Sequence, residues 1–229
     1  MKNNMSENDE QYYFNFSFFK VDPKWRWMAD LAKEESAKEV DNIIKNSGIM
    51  FRSYSNLGLR DDTDFLFWFA AKTIEEIQIV IEKLYKTVFG KYILPARTYL
   101  SCTRPSIYVQ GARKEHGFLT GMEPKKHVIV YPFTKTREWY HLDKEKRQVI
   151  MDEHIEVSKK YPQVILNTTY SFGIHDEDFM LAFEVDEIRD FQDLIMDLRE
   201  TEVSKYVKND IPMIVCVKKD IIPLITSLG

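Results

Sequence analysis

His154 lies in EKRQVIMDEHIEVSKKY, where Ile150, His154, Val157 and Tyr161 recur at i−4, i, i+3 and i+7. That spacing puts the imidazole on the apolar stripe of an amphipathic helix. A lone histidine on a buried face is more often a satisfied core residue than a ligand. No Cys/His cluster accompanies it, which argues against a closed zinc site. One histidine without partner ligands suits an iron that brings four nitrogens of its own, as in a haem. A second group sits in HVIVYPFTKTREWYHL (127–142), where Ile129, Tyr131, Phe133 and Lys135 share one face of a strand. Tyr131 and Lys135 would stand about 13 Å apart in an extended chain. A tyrosine and a lysine on an otherwise apolar face describe either a lined pocket or an edge strand with a snorkelling lysine.

The elements that must position these residues are written twice. With Phe65 laid on Phe179, an offset of 114, Phe69 falls on Phe183 and Tyr92 on Tyr206. Ile74, Ile77, Ile81 and Leu84 then fall on Ile188, Phe191, Ile195 and Leu198, the same helical face in both copies. Upstream the copies slip by one or two residues near Gly58 and Gly173.

The first copy predicts a strand over 12–21, then a helix opened by Asp22 and Pro23. Strands near 48–57 and 64–71, a helix near 73–89 and a strand near 97–104 follow. The second copy predicts a strand at 127–133, a helix near 143–160 and strands near 163–172 and 177–185. A helix near 186–205 and a strand near 211–218 complete it. Each copy is βαββαβ, the ferredoxin-like arrangement. The fold class is therefore α+β, with two tandem halves burying their open sheet faces together as a dimeric α+β barrel. The divisions are a disordered lead at 1–11, an N-terminal half at 12–104, a Gly/Pro-marked linker at 105–126 and a C-terminal half at 127–229.

Composition narrows the class further. The net charge of −4 over 229 residues argues against a general phosphate-binding surface. β-α-β-β units also serve in RNA recognition, but the acidic balance and missing RNP aromatics disfavour nucleic acid as a partner. The two cysteines, Cys102 and Cys216, each sit inside an apolar run and read as buried thiols of a reducing compartment. The polar lead does not resemble a signal peptide, and no apolar run reaches the roughly 20 residues of a membrane span. The expected localisation is cytoplasmic.

Where the copies differ, the second carries chemistry. Arg199 stands at the position of Tyr85, on the margin of the helix stripe, and Ser204 at that of Gly90. A guanidinium there could reach a carboxylate, or simply face the negative end of the helix dipole.

Taken together, YPFTK (131–135), WYHLDKEKRQVIMDEH (139–154) and LRETEVSKY (198–206) resemble the chlorite dismutase family, and within it the coproheme decarboxylases. They are similar to that family's YPM-x-K, NWY-x-L with an ERR-like helix, and MRFDEVSARY. The resemblance spans nearly the whole chain beyond the lead. It implies His154 as the ligand of a haem iron, with iron coproporphyrin III or haem b as the group bound. It implies Tyr131 as the residue that oxidises a propionate and Lys135 as the one that hydrogen-bonds it. Arg199 and Ser204 would hold other propionates, hydrogen peroxide would be the oxidant, and the assembly would be a homo-oligomer, commonly a pentamer.

The chain departs from the family in two places. Chlorite-splitting members carry an arginine before the glycine of the second half, and decarboxylases prefer glutamine there. Here the position is Leu166 or Asn167, depending on a one-residue gap, and Asn167 is the partial substitute for the glutamine. No arginine lies in 161–175, which disfavours chlorite chemistry. At the family's clamping arginine this chain has Gly117, and Arg113 matches only with a longer linker. Three alternatives to a decarboxylase remain: a weak haem peroxidase, a haem carrier or sensor, and a haem-free interaction module.

Overall fold

The computed structural model describes residues 10–106, 108 and 117–229. The N-terminal half runs β1 (Tyr13–Val21), α1 (Asp30–Lys45), β2 (Met50–Ser55), β3 (Phe65–Ala71), α2 (Ile74–Lys86) and β4 (Ile93–Cys102). The C-terminal half runs β5 (His127–Lys135), α3 (Arg137–His141), α4 (Lys144–Ser158), β6 (Ile165–Tyr170), β7 (Phe179–Val185), α5 (Ile188–Glu200), β8 (Val207–Asn209) and β9 (Ile214–Lys218). A last helix, α6 (Ile221–Thr226), follows.

Among the described residues the strands form one sheet in the order β7-β6-β4-β1-β3-β2-β9-β5-β8, closed by a β7–β5 pairing. All its ladders are antiparallel. Within it lie two half-sheets, β4-β1-β3-β2 and β9-β5-β7-β6, each in ferredoxin-like order. They join edge to edge where Tyr54 faces Lys218 and where Cys102 faces Tyr170. The result is an α+β barrel of two ferredoxin-like halves with the helices outside.

Strand alternation sorts the apolar residues into layers. One parity of β1 (Phe14, Phe16, Phe18) and of β3 (Leu66, Trp68, Ala70) points into the barrel, where Val128, Val130, Met180 and Ala182 meet it from the other half. The other parity (Phe19, Phe65, Phe67, Phe69) packs outward against α1, α2 and α6. Phe118, within the sequence-predicted linker, is buried in the barrel against Trp68 at 4.4 Å between centroids. That stretch is therefore part of the core as well as a connection.

The echo of DDTDF in HDEDF has a structural reason. Asp64 Oδ2 accepts the Val21 amide at 2.8 Å, and Asp178 Oδ2 accepts the Lys135 amide at 2.8 Å. In each half an acidic residue before β3 or β7 ties down the end of β1 or β5. The turns ahead of them place Gly58 and Gly173 at φ of 75° and 69°, a region glycine enters without steric cost.

Asp22 and Pro23 open only a short 3-10 turn, Pro23–Trp27, with the Asp22 carboxylate accepting the Lys24 amide at 2.8 Å. Helix α1 itself begins later, at Asp30. The α2 start agrees with its pattern, because Thr73 and Glu76 form a reciprocal capping box. Short helices α3 and α6 lie outside the predicted elements. Helix α6 inserts Leu224 and Ile225 into the N-terminal outer core.

A buried ion pair inside the barrel joins the halves, beside the Ser101–Thr169 hydroxyl contact at 2.7 Å. Arg52 of β2 pairs with Glu184 of β7 at 2.7 Å and reaches the carbonyls of Gly117 and Met122. Glu184 also accepts from Asn167 at 3.0 Å and from the Lys125 amide at 3.3 Å. Removing one member of such a buried pair leaves the other charge uncompensated. Glu184→Leu should therefore cost about 3–5 kcal/mol in urea unfolding; a loss below about 1 kcal/mol would show that the pair does not hold the halves together.

Candidate functional site

The two halves differ most in the layer between sheet and helices. In the N-terminal half Phe51, Phe65, Phe67 and Phe69 fill it, in ring contact at 4.9–6.1 Å. Pairing registers identify their counterparts, since Phe51 faces Phe69 on β3 and Leu166 faces Phe183 on β7. Leu166 thus replaces Phe51, and Leu181 replaces Phe67 at the offset of 114. Phe67 is fully buried, whereas Leu181 is only partly so and Leu166 is 43 % exposed. On the helix side, fully buried Val40 of α1 is replaced by His154 of α4. Shorter side chains thus stand at two positions of the layer on β6 and β7, and an imidazole stands at the matching position on α4.

Tyr131 and Lys135 border the same layer. Tyr131 is 3 % exposed and stacks on Phe183 at 5.9 Å and 7°. Burial, followed by the charge of Asp210, holds its phenol above the ordinary tyrosine range, with Arg199 acting in the opposite direction. Lys135, 9 % exposed, makes no hydrogen bond through its ammonium; it lies 4.4 Å from the Trp139 ring centroid and 5.3 Å from that of Phe133. Burial lowers its pKa to about 8, against an upward pull from Asp178. His154 is lowered to about 4, first by burial and then by the nearby Lys135 ammonium. Its Nδ1 is buried without a partner. The imidazole is thus neutral above pH 5, the form in which a ring nitrogen can ligate a metal. Among the described residues no group of three or more His, Cys, Asp or Glu side chains is placed to hold a bare ion. A metal at His154 would have to bring its other ligands.

The remaining predicted residues separate. Arg199 is exposed on the rim, paired with Asp210 at 3.2 Å. Ser204 donates to the Thr201 carbonyl at 2.7 Å, within the 3-10 turn after α5. Asn167 is buried on the opposite face of β6, inside the barrel with Glu184. Strand parity therefore puts Leu166, not Asn167, on the face shared with Tyr131 and Phe183. Arg113 lies outside the described residues.

Trp139 was not singled out by the sequence reading, yet it forms the floor under Lys135. Its signal was the repeat: Trp25 and Tyr92 of the first copy stand 5.5 Å apart, and Trp139 and Tyr206, each 114 further on, stand 5.4 Å apart. A cleft of about 510 Å³ opens beside Tyr170 and Phe172, at the end of the same β6 face. A larger one of about 950 Å³, around Arg52 and Met122, contains none of the predicted residues.

The His154 shift has a measurable sign. Its folded pKa lies below the ordinary 6.5, so the unfolded chain takes the proton first as pH falls. The stability it contributes is complete above pH 6.5 and is lost as pH drops towards 4. An NMR titration of the ligand-free protein should place the His154 midpoint near pH 4; a midpoint near 6.5 would mean that the ring is open to water.

The family model for chlorite dismutase matches residues 32–219. The coproheme decarboxylase of Mycolicibacterium smegmatis is 31 % identical over 210 residues, covering 87 % of each chain. The chlorite dismutase of Candidatus Nitrospira defluvii, solved in complex with imidazole, has the same fold, with a TM-score of 0.86, 23 % identity and coverage of 95 % of this chain and 94 % of that one. A putative chlorite dismutase superposes with a TM-score of 0.79 at 21 % identity, over 96 % of this chain and the whole of the other. With the family model spanning most of the sequence, the chain belongs to the chlorite dismutase family.

Proposed function

We propose that this protein binds an iron porphyrin between α4 and the β5–β6–β7 face, and that it decarboxylates iron coproporphyrin III oxidatively with hydrogen peroxide to give haem b. The observation that carries the reading is the replacement of a filled aromatic layer by shorter residues in the half that also buries an unpartnered, neutral imidazole and an ammonium with no hydrogen-bonded anion. A porphyrin is a flat apolar body with acidic side chains, and it supplies both what the layer lacks and what Lys135 lacks. His154 would hold the iron, which brings four nitrogen ligands of its own. The 31 % identical relative named coproheme decarboxylase supports the same substrate.

The overall change at each reacting side chain balances as propionic acid plus hydrogen peroxide giving vinyl, carbon dioxide and two waters. When bound, the iron supplies the reaction with peroxide. The protein's own groups hold and isolate the side chain. Lys135, in an apolar setting that strengthens charge pairing, orients the carboxylate through its Nζ. Tyr131, kept protonated by burial, must give up its proton whenever it gives up an electron, which suits it to pass one oxidising equivalent without leaving a buried charge. Arg199 and Ser204 on the rim are proposed to hold carboxylates that do not react. The nearby Leu166 offers no hydrogen bond to an anion, which counts against chlorite as the substrate. We place the protein in the cytoplasm, as a homo-oligomer and by family resemblance a pentamer. Among the described residues no helix is long and apolar enough to cross a membrane.

The test is to load the protein with iron coproporphyrin, add peroxide stepwise and follow the porphyrin by mass. Two successive losses of carbon dioxide are expected. Uptake with no mass change would leave a carrier, sensor or peroxidase, and no uptake would leave an interaction module. Tyr131→Phe should bind the porphyrin yet slow decarboxylation at least a hundredfold, the lower end of what a directly participating side chain contributes. His154→Ala should lose the histidine-ligated spectrum. Leu181→Phe restores the N-terminal pattern; it should melt no lower than wild type while taking up little porphyrin, and full uptake would place the porphyrin elsewhere.

A further inference from the structure

Arg147 of α4 is, among the described residues, the one arginine that is neither exposed nor paired. Arg52, Arg60, Arg97, Arg189 and Arg199 all have carboxylate partners. Arg26, Arg104 and Arg137 have none and are open to solvent. Arg147 is partly buried, its side chain makes no hydrogen bond or ion pair, and its Nε is sealed from water without an acceptor. A buried donor left unmade costs roughly 1–3 kcal/mol, more when it is charged. Such a group persists where something outside the chain satisfies it.

Its neighbours show which way it faces. Arg147, Ile150 and His154 recur on one stripe of α4, and Ile150 packs in the cluster that holds Trp139. Trp139 in turn carries the Lys135 ammonium. The repeat shows what was removed. The counterpart of Arg147 is Lys33, which is buried and reaches the Arg26 carbonyl at 3.5 Å and the Asp30 carboxylate at 3.4 Å. At the offset of 114 the place of Asp30 is taken by Lys144. The first copy supplies its own anion, and the second has exchanged that anion for a cation.

The geometry points to Arg147 as a further carboxylate-binding residue, making with Lys135 a cationic margin for an acidic side chain of the bound porphyrin. This rests on the porphyrin reading of the same site. A guanidinium can clamp a carboxylate with two parallel N–H donors, where Lys135 offers a point charge. The ligand it selects is a porphyrin bearing carboxylates on the side that meets α4.

The test uses iron-free coproporphyrin, whose fluorescence reports binding without turnover, on the full chain and on Arg147→Gln and Arg147→Lys. Arg147→Gln should weaken binding about tenfold, the equivalent of about 1.4 kcal/mol, while the ligand-free variant melts no lower than wild type. Arg147→Lys should fall between the two. Unchanged affinity in Arg147→Gln overturns the subsite. Weaker binding together with a lower melting temperature also overturns it, since the arginine would then be structural. If wild type takes up iron coproporphyrin but Arg147→Gln binds the iron-free form as well as wild type does, the subsite falls alone. No uptake of either porphyrin by wild type would end both readings.

Discussion

An antiparallel sheet with helices on one side has a second apolar face to hide, and that constraint governs this molecule. Neither half could leave Phe14, Phe16, Leu66 and Trp68, or Val128, Val130 and Met180, in water. Closing β2 on β9 and β4 on β6 buries both sets at once and satisfies the backbone groups of the strands at the seams. With the inner faces largely committed to each other, the proposed porphyrin site lies outside the barrel, under a helix layer.

Duplication then lets one layer stay filled with rings while the other carries shorter and polar side chains. The N-terminal half is sealed by four phenylalanines and by α6 laid beside α1, and it carries the packing. The C-terminal half has Leu166 and Leu181 where rings once fitted. It buries Lys135 without a hydrogen-bonded anion and His154 without a partner for Nδ1. Such groups destabilise a core by themselves. They are tolerated in one half because the other half and the shared barrel hold the fold.

Most of the fold was legible because its signals are local and doubled. Alternation in YYFNFSFF, the 3-4-3 helix faces and the matching Phe65/Phe179 and Phe69/Phe183 pairs fixed element type and topology together. The start of α1 was misread because Asp22–Pro23 is an equally good opening for a 3-10 turn. Helix α6 lies beyond the repeat and had no echo to reveal it. In the site, the His154 stripe and the Tyr131–Lys135 face were readable from periodicity. The choice between Leu166 and Asn167 was not, because a one-residue gap upstream of Gly173 flips strand parity and only the ladder with β7 settles it. Trp139 and Arg147 escaped because their meaning lies in contacts far along the chain.

The Arg52–Glu184 pair has a consequence for how the barrel chooses its partner. By the repeat, the counterpart of Glu184 is Ala70, so two N-terminal halves from separate chains would bring Arg52 against an alanine methyl. Their edges are otherwise compatible, since each half presents the same kinds of strand at its two margins. The buried charge makes such an exchange between chains expensive, and only the union of unlike halves satisfies it. A buried contact between the halves thus disfavours swapping among nascent chains on neighbouring ribosomes, where unfinished copies of the first half lie close together before any second half has been made.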